Sequence, residues 1–81
     1  MSYDFRDFVF DLSKKALKQE QKSTIRQQCN AIRNKAAMLS DEEQEQAFSA
    51  IAKYEQEHMQ AIESYATSTA VVKEILKMLG Y

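Results

Sequence analysis

The sequence predicts a small all-α protein, and three observations lead to that fold class. The chain has 81 residues with one glycine and no proline, whereas average usage would give about six and four. Apolar residues recur at three- and four-residue spacings, which is typical of amphipathic helices. A domain of this size buries only about 60% of its unfolded surface. We therefore expect a helical hairpin or bundle of three to four helices with coiled-coil-like packing, completed by oligomerisation.

The first predicted helix spans residues 3–18 of this single domain and has two apolar faces. The wider face comprises Phe5, Phe8, Val9, Leu12 and Ala16. The narrower face recurs every seven residues and comprises Tyr3, Phe10 and Leu17. Two interpretations of the narrower face stay open. It is either a second core face of a central helix or a surface for a partner or for oligomerisation, since exposed aromatic residues mark interfaces.

The second predicted helix spans residues 23–39 and follows a wholly polar stretch that indicates a break near residues 19–23. Its apolar residues alternate at spacings of four and three, the pattern of a coiled-coil seam. This helix-pairing seam comprises Ile25, Cys29, Ile32, Ala36 and Leu39.

The third predicted helix begins after Ser40 and runs over residues 41–66, and a fourth covers residues 69–79. Ser40 and Glu43 have the spacing of a capping box, and the first turn of the third helix is acidic, which suits the positive end of a helix dipole. Gly80 follows the fourth helix, where glycine commonly ends a helix. The sequence thus predicts four helices in one domain.

The two halves of the chain carry opposite charges. Residues 1–40 contain eight basic and four acidic residues, whereas residues 41–81 contain three basic and eight acidic ones. Opposite charges attract at short range, so the halves are expected to fold against each other.

A basic stripe runs along the first half at near-helical spacings. It comprises Lys15, Lys18, Lys22, Arg26 and Arg33. It could pair with the acidic half, contact an acidic protein or lie along nucleic acid phosphates. The sequence pI near 5.8 disfavours nucleic acid, because nucleic-acid-binding domains are usually basic.

Candidate catalytic and metal-binding residues are few. Glu55 and His58 have the spacing of a bundle metal motif, but one copy is a weak signal and His58 is better explained as a packing residue. Cys29 is best explained as a small apolar seam residue. We expect no enzyme activity, no metal or other cofactor and no small-molecule substrate.

The expected location is cytoplasmic, with export that needs no cleaved signal as the alternative. The single cysteine forms no internal disulfide, as in reduced compartments, and the sequence contains neither a membrane segment nor a signal peptide pattern.

These features predict an interaction protein. We expect a small regulator or inhibitor of the antirepressor, antitoxin or phage-inhibitor class, which binds itself as a dimer or tetramer and also binds another protein. A nucleic-acid-associated protein that uses the basic stripe is a further alternative.

The overall plan also resembles the needle subunits of type III secretion systems. The points of similarity are Phe5 and Phe8, the Asp11-Leu12-Ser13 segment, the Ala36-Ala37 pair before Ser40-Asp41, and Ala47 with Tyr54. The chain has no proline, which the hairpin turn of that family usually carries. The resemblance implies an alternative function as a structural subunit of an export filament.

Overall fold

The helices of the chain belong to two helix–strand–helix units. A computed structural model describes residues 3–18 and 22–81, with side chains left undescribed at residues 15–18 and 22. The first unit contains α1 (Phe5–Lys18), β1 (Lys22–Thr24) and α2 (Ile25–Ala36). The second contains α3 (Asp41–Glu57), a 3₁₀ turn (Met59–Ala61), β2 (Tyr65–Thr67) and α4 (Ser68–Met78). The described residues are therefore mostly helical.

The two units meet through an antiparallel ribbon of β1 and β2. Ser23 lies opposite Ala66 at its centre. The side-chain amide of Gln28 donates to the backbone carbonyls of both residues, at 3.2 Å to Ser23 O. Each strand ends in a threonine that caps the helix after it, Thr24 for α2 and Thr67 for α4. The ribbon thereby fixes where both helices begin.

The core lies between the four helices. α2 packs mainly on α3, and α4 packs on α1 and α3. The fully buried side chains of the core include at least one from each helix: Phe8, Cys29, Ile51, Val71 and Ile75. Burial of apolar side chains at about 25 cal/mol per Å² is the main favourable term in folding, so this shared core holds the two units together.

Two features of the second unit differ from the sequence-based prediction. α3 ends at Glu57 and not at residue 66, and residues 65–67 form a strand. The amides of Ile25 and Arg26 donate to the carbonyls of Ser64 and Ile62. The first amides of a helix have no acceptor within it, so the segment after α3 provides acceptors for α2. The predicted second helix, residues 23–39, is also shorter, because β1 precedes it and a turn ends it at Ala36.

The predicted capping box at Ser40 is replaced by a contact between helices. Ser40 makes no side-chain cap bond to the backbone; its hydroxyl donates to Glu43 at 3.0 Å. The second carboxylate oxygen of Glu43 accepts from the amide of Phe5 at 3.0 Å. Glu43 therefore caps α1, which lies next to it in space, and not α3.

Gly80 ends α4 as predicted. Its φ is +92°, a left-handed conformation that glycine adopts at low cost. The amide of Tyr81 donates to Leu76 O at 2.9 Å and that of Gly80 to Lys77 O at 3.1 Å, which is a Schellman motif. This turn places the ring of Tyr81 on that of Phe5, with centroids 5.7 Å apart.

Candidate protein-binding site

The two faces of α1 have opposite environments. Phe8 is 0% exposed and Leu12 is 5% exposed, both within the core. Phe10 lies on the other side of the helix and is 62% exposed. Because a phenylalanine gains free energy by leaving water, an exposed one on a helix whose other side is packed is a candidate contact for another molecule.

Two cations lie beside Phe10 on the same side of α1. Arg6 precedes it by four residues and Lys14 follows it by four, and both are exposed. The Lys14 ammonium lies 5.9 Å from the centroid of the Phe10 ring, within the range of a cation–π contact. Neither cation forms an ion pair with a residue that the structure describes. We call Arg6, Phe10 and Lys14 the Phe10 face.

The other residues of the predicted narrow face differ from Phe10. Tyr3 is half-buried against the core, and its hydroxyl donates to Asp11 at 3.1 Å. Burial, and then the hydrogen bond to Asp11, raise the pKa of Tyr3. The side chain of Leu17 lies outside the described part of the chain. Among the described side chains of that face, Phe10 alone is largely open to solvent.

The basic stripe lies partly against the acidic half. Arg26 forms an ion pair with Glu63, and Arg33 forms one with Glu55 and also donates to Asn30 at 2.7 Å. The hydrogen bond to Glu63 raises the pKa of Arg26. The side chains of Lys15, Lys18 and Lys22 lie outside the described part. The two arginines of the basic stripe, Arg26 and Arg33, are therefore both paired with carboxylates of the same chain.

The helix-pairing seam lies inside the core. Ile25, Cys29, Ile32, Ala36 and Leu39 are all buried there with Ala47, Ile51 and Tyr54 of α3. Burial raises the pKa of the Cys29 thiol to about 11. Since the thiolate is the reactive form of cysteine, this buried thiol is poorly suited to nucleophilic chemistry.

Glu55 and His58, which have the spacing of a bundle metal motif, contact different neighbours. Glu55 accepts from Arg33, whereas His58 stacks on Tyr54 with centroids 4.2 Å apart and its Nδ1 lies 3.0 Å from Tyr54 O. In residues 3–18 and 22–81, no three histidine, cysteine or acidic side chains are grouped as metal ligands.

Two paired helix–strand–helix units resemble the paired helix–loop–helix motifs that bind calcium in some proteins. Calcium takes six to eight oxygen ligands, several of them carboxylates. Residues 58–67 contain one carboxylate, Glu63, and it pairs with Arg26. Residues 19–24 also contain one, Glu20. The sequence of these loops does not supply a calcium site.

An open groove runs between α3 and the end of α4. Its volume is about 730 Å³. Its apolar part consists of Ala50, Met78 and Leu79, and its polar part of Glu42, Glu45, Gln46, Ser49 and Lys53. Glu42 and Glu45 are exposed and form no ion pair with a described residue. The groove thus combines apolar surface with two unpaired carboxylates at one end.

The sequence does not reveal this groove because its two walls come from distant segments. In the sequence, the acidic first turn of α3 indicates a helix start, and no spacing pattern singles out Met78. A spacing of three residues between Glu42 and Glu45 does place both on one side of the helix. The contact between α3 and α4, which forms the groove, is not visible in either helix alone.

Comparison of the chain with protein-family models, with curated proteins and with solved structures found no match. In the part of the chain that the structure describes, no helix has both the length and the apolar content to cross a bilayer.

Proposed function

We propose that this chain is a small non-enzymatic regulatory or inhibitory protein that acts by binding another protein through the Phe10 face. The observation that carries the proposal is the 62% exposure of Phe10 on a helix whose opposite side, Phe8, is fully buried. Aromatic side chains that are anchored on a rigid element are frequent binding hot spots. α1 provides that rigid element.

The charges on the Phe10 face define the chemistry of the partner. Neither Arg6 nor Lys14 forms an ion pair with a described residue, so both cations are available to an acidic surface. The partner should therefore present an apolar depression that accepts a phenyl ring, with carboxylates at its edge. Complementary charges at the rim accelerate association and select the correct partner.

Nucleic acid is a less favoured partner for this protein. Phosphate binding requires several free cations on one surface, yet Arg26 and Arg33 of the basic stripe are paired with carboxylates. The second half of the chain also carries a net negative charge. A protein surface with both apolar and acidic groups matches the Phe10 face better than a phosphate backbone does.

The proposal is tested by affinity capture with matched variants. The parent chain and Phe10→Ala are immobilised and exposed to lysate of cells that encode the protein, and the captured proteins are compared by mass spectrometry. Met38→Ala serves as the control, because Met38 is equally exposed, at 60%, but lies in the turn after α2. We expect one protein to be retained by the parent and by Met38→Ala and to be lost with Phe10→Ala.

The captured protein is then purified, and its affinity for the three chains is measured directly by calorimetry. Phe10→Ala should weaken binding by about 2 kcal/mol or more, as expected for a hot-spot residue. Equal affinity of all three chains would overturn the proposal, as would binding that depends on nucleic acid and disappears after nuclease treatment.

A further inference from the structure

We propose that the groove between α3 and α4 is a docking site for the Phe10 face of a second copy of this chain. The ring of Phe10 would lie on the apolar part of the groove, and Arg6 and Lys14 would face Glu42 and Glu45. This contact goes beyond the proposed partner binding, because it assigns a separate surface of the chain and a defined occupant.

The groove provides both kinds of surface that such an occupant needs. Ala50 is buried, and Met78 and Leu79 are half-buried, so the groove has an apolar base that is partly open to solvent. Glu42 and Glu45 are exposed at one end. An aromatic ring would cover the apolar base, while cations beside the ring would face the carboxylates.

The Phe10 face has the complementary arrangement. Arg6 and Lys14 flank the ring, and the Lys14 ammonium already lies over it, so that positive charge is close to the apolar contact. Two carboxylates lie beside this face: Asp7 accepts a hydrogen bond from the backbone amide of Asp4, and Asp11 accepts one from the Tyr3 hydroxyl and pairs with Lys35. In the groove the only cation among the lining residues is Lys53. It lies eight residues from Glu45, which corresponds to about 12 Å along the helix.

A second copy is favoured because each chain carries both complementary surfaces. If both contacts form between the same two chains, they close a dimer; if each chain uses one surface on each neighbour, they form an open or ring-shaped assembly. In either case self-association covers Phe10. Self-association and partner binding therefore compete for the same ring.

Charge reversal tests this contact with purified protein alone. The groove variant carries Glu42→Lys and Glu45→Lys, and the face variant carries Arg6→Glu and Lys14→Glu. Sedimentation velocity is measured from micromolar to millimolar concentration for the parent, for each variant and for an equimolar mixture of the two variants. All four positions are exposed, and circular dichroism verifies that each variant remains folded.

We expect the parent to self-associate. Each variant alone should associate at least about tenfold more weakly than the parent, because like charges then face each other. The mixture should associate as the parent does, because the reversed face then meets the reversed groove. A control that carries Glu57→Lys and Lys73→Glu, two exposed positions outside both surfaces, should leave association unchanged.

Two further single substitutions test the apolar part of the contact without charge reversal. Phe10→Ala removes the ring, and Ser49→Gln narrows the groove from an exposed position without adding charge; each should reduce association. The proposal is overturned if the parent stays monomeric at millimolar concentration, if the charge variants associate as the parent does, or if their mixture stays monomeric. A chain that remains monomeric but still captures its partner through Phe10 would refute this contact and leave the proposed function intact.

Discussion

The guanidinium of Arg33 on α2 donates to the carboxylate of Glu55 on α3. This ion pair joins the basic half of the chain to the acidic half. Its side chains are 32% and 23% exposed, whereas the second pair between the halves, Arg26 with Glu63, is 54% and 66% exposed. The oppositely charged halves are thus joined by one half-buried ion pair and one exposed ion pair.

The difference in depth leads to a first prediction. Glu55→Gln should lower the free energy of unfolding by about 1–2 kcal/mol, because it leaves the half-buried Arg33 without its counter-charge. Glu63→Gln should lower it by less than about 0.5 kcal/mol, since exposed ion pairs contribute little. Urea unfolding of the two variants measures both values, and equal losses would contradict the assigned depths.

The two faces of α1 lead to a second prediction. Phe8→Ala should lower the free energy of unfolding by about 3–5 kcal/mol, because it opens a cavity in the core. Phe10→Ala should change it by less than about 0.5 kcal/mol, as for most surface substitutions. Thermal melts followed by circular dichroism compare them at low concentration, where self-association does not contribute. If both variants melt alike, α1 is central core on both sides.

Much of the helical content could be predicted from periodicity and cap signals. The seam of α2 is a strong pattern of spacings, and Gly80 is a local stop signal whose conformation matches its position. These signals lie within a few residues of the feature that they predict. They therefore do not depend on knowing which segments meet.

The end of α3 could not be predicted in the same way. Ile62 and Ala66 continue the apolar spacing beyond Glu57, yet this segment forms the ribbon and accepts hydrogen bonds from Ile25 and Arg26. Three-residue strands are also too short to show a two-residue period. The groove and the link from Glu43 to Phe5 likewise depend on contacts between distant segments.

A third prediction concerns the threonine at the junction of β1 and α2. Thr24→Ala should lower the free energy of unfolding by about 1 kcal/mol, because the Thr24 hydroxyl accepts a hydrogen bond from the amide of Gln27 at 3.1 Å. Ser40→Ala should lower the free energy of unfolding by less than about 0.5 kcal/mol, since the Ser40 side chain makes no cap hydrogen bond to the backbone of α3. Chemical denaturation of both variants provides the comparison. A larger loss for Ser40→Ala than for Thr24→Ala would contradict the assignment of Thr24 as the stronger cap.

A fourth prediction concerns alkaline pH. Burial raises the pKa of Cys29 from the ordinary thiol value of 9.0 to about 11 in the folded chain. As pH rises, the unfolded chain therefore loses the thiol proton before the folded chain does. The contribution of the protonated thiol to the free energy of unfolding is full below about pH 9 and is lost as pH rises towards about 11. Cys29→Ala should flatten the fall in stability over this range relative to the parent. Parallel slopes in urea titrations at several pH values would contradict the burial of the thiol.

If the outer side of α1 is a contact surface for protein, site-specific photo-crosslinking will detect that contact. A photoreactive phenylalanine analogue is placed at Phe10 in one chain and at Met38 in a control chain, and both are irradiated in the cells that encode the protein. We expect defined adducts from position 10, either with another protein or with residues of the α3–α4 groove of a second copy, and few from position 38. Equal, diffuse labelling from both positions would contradict this expectation.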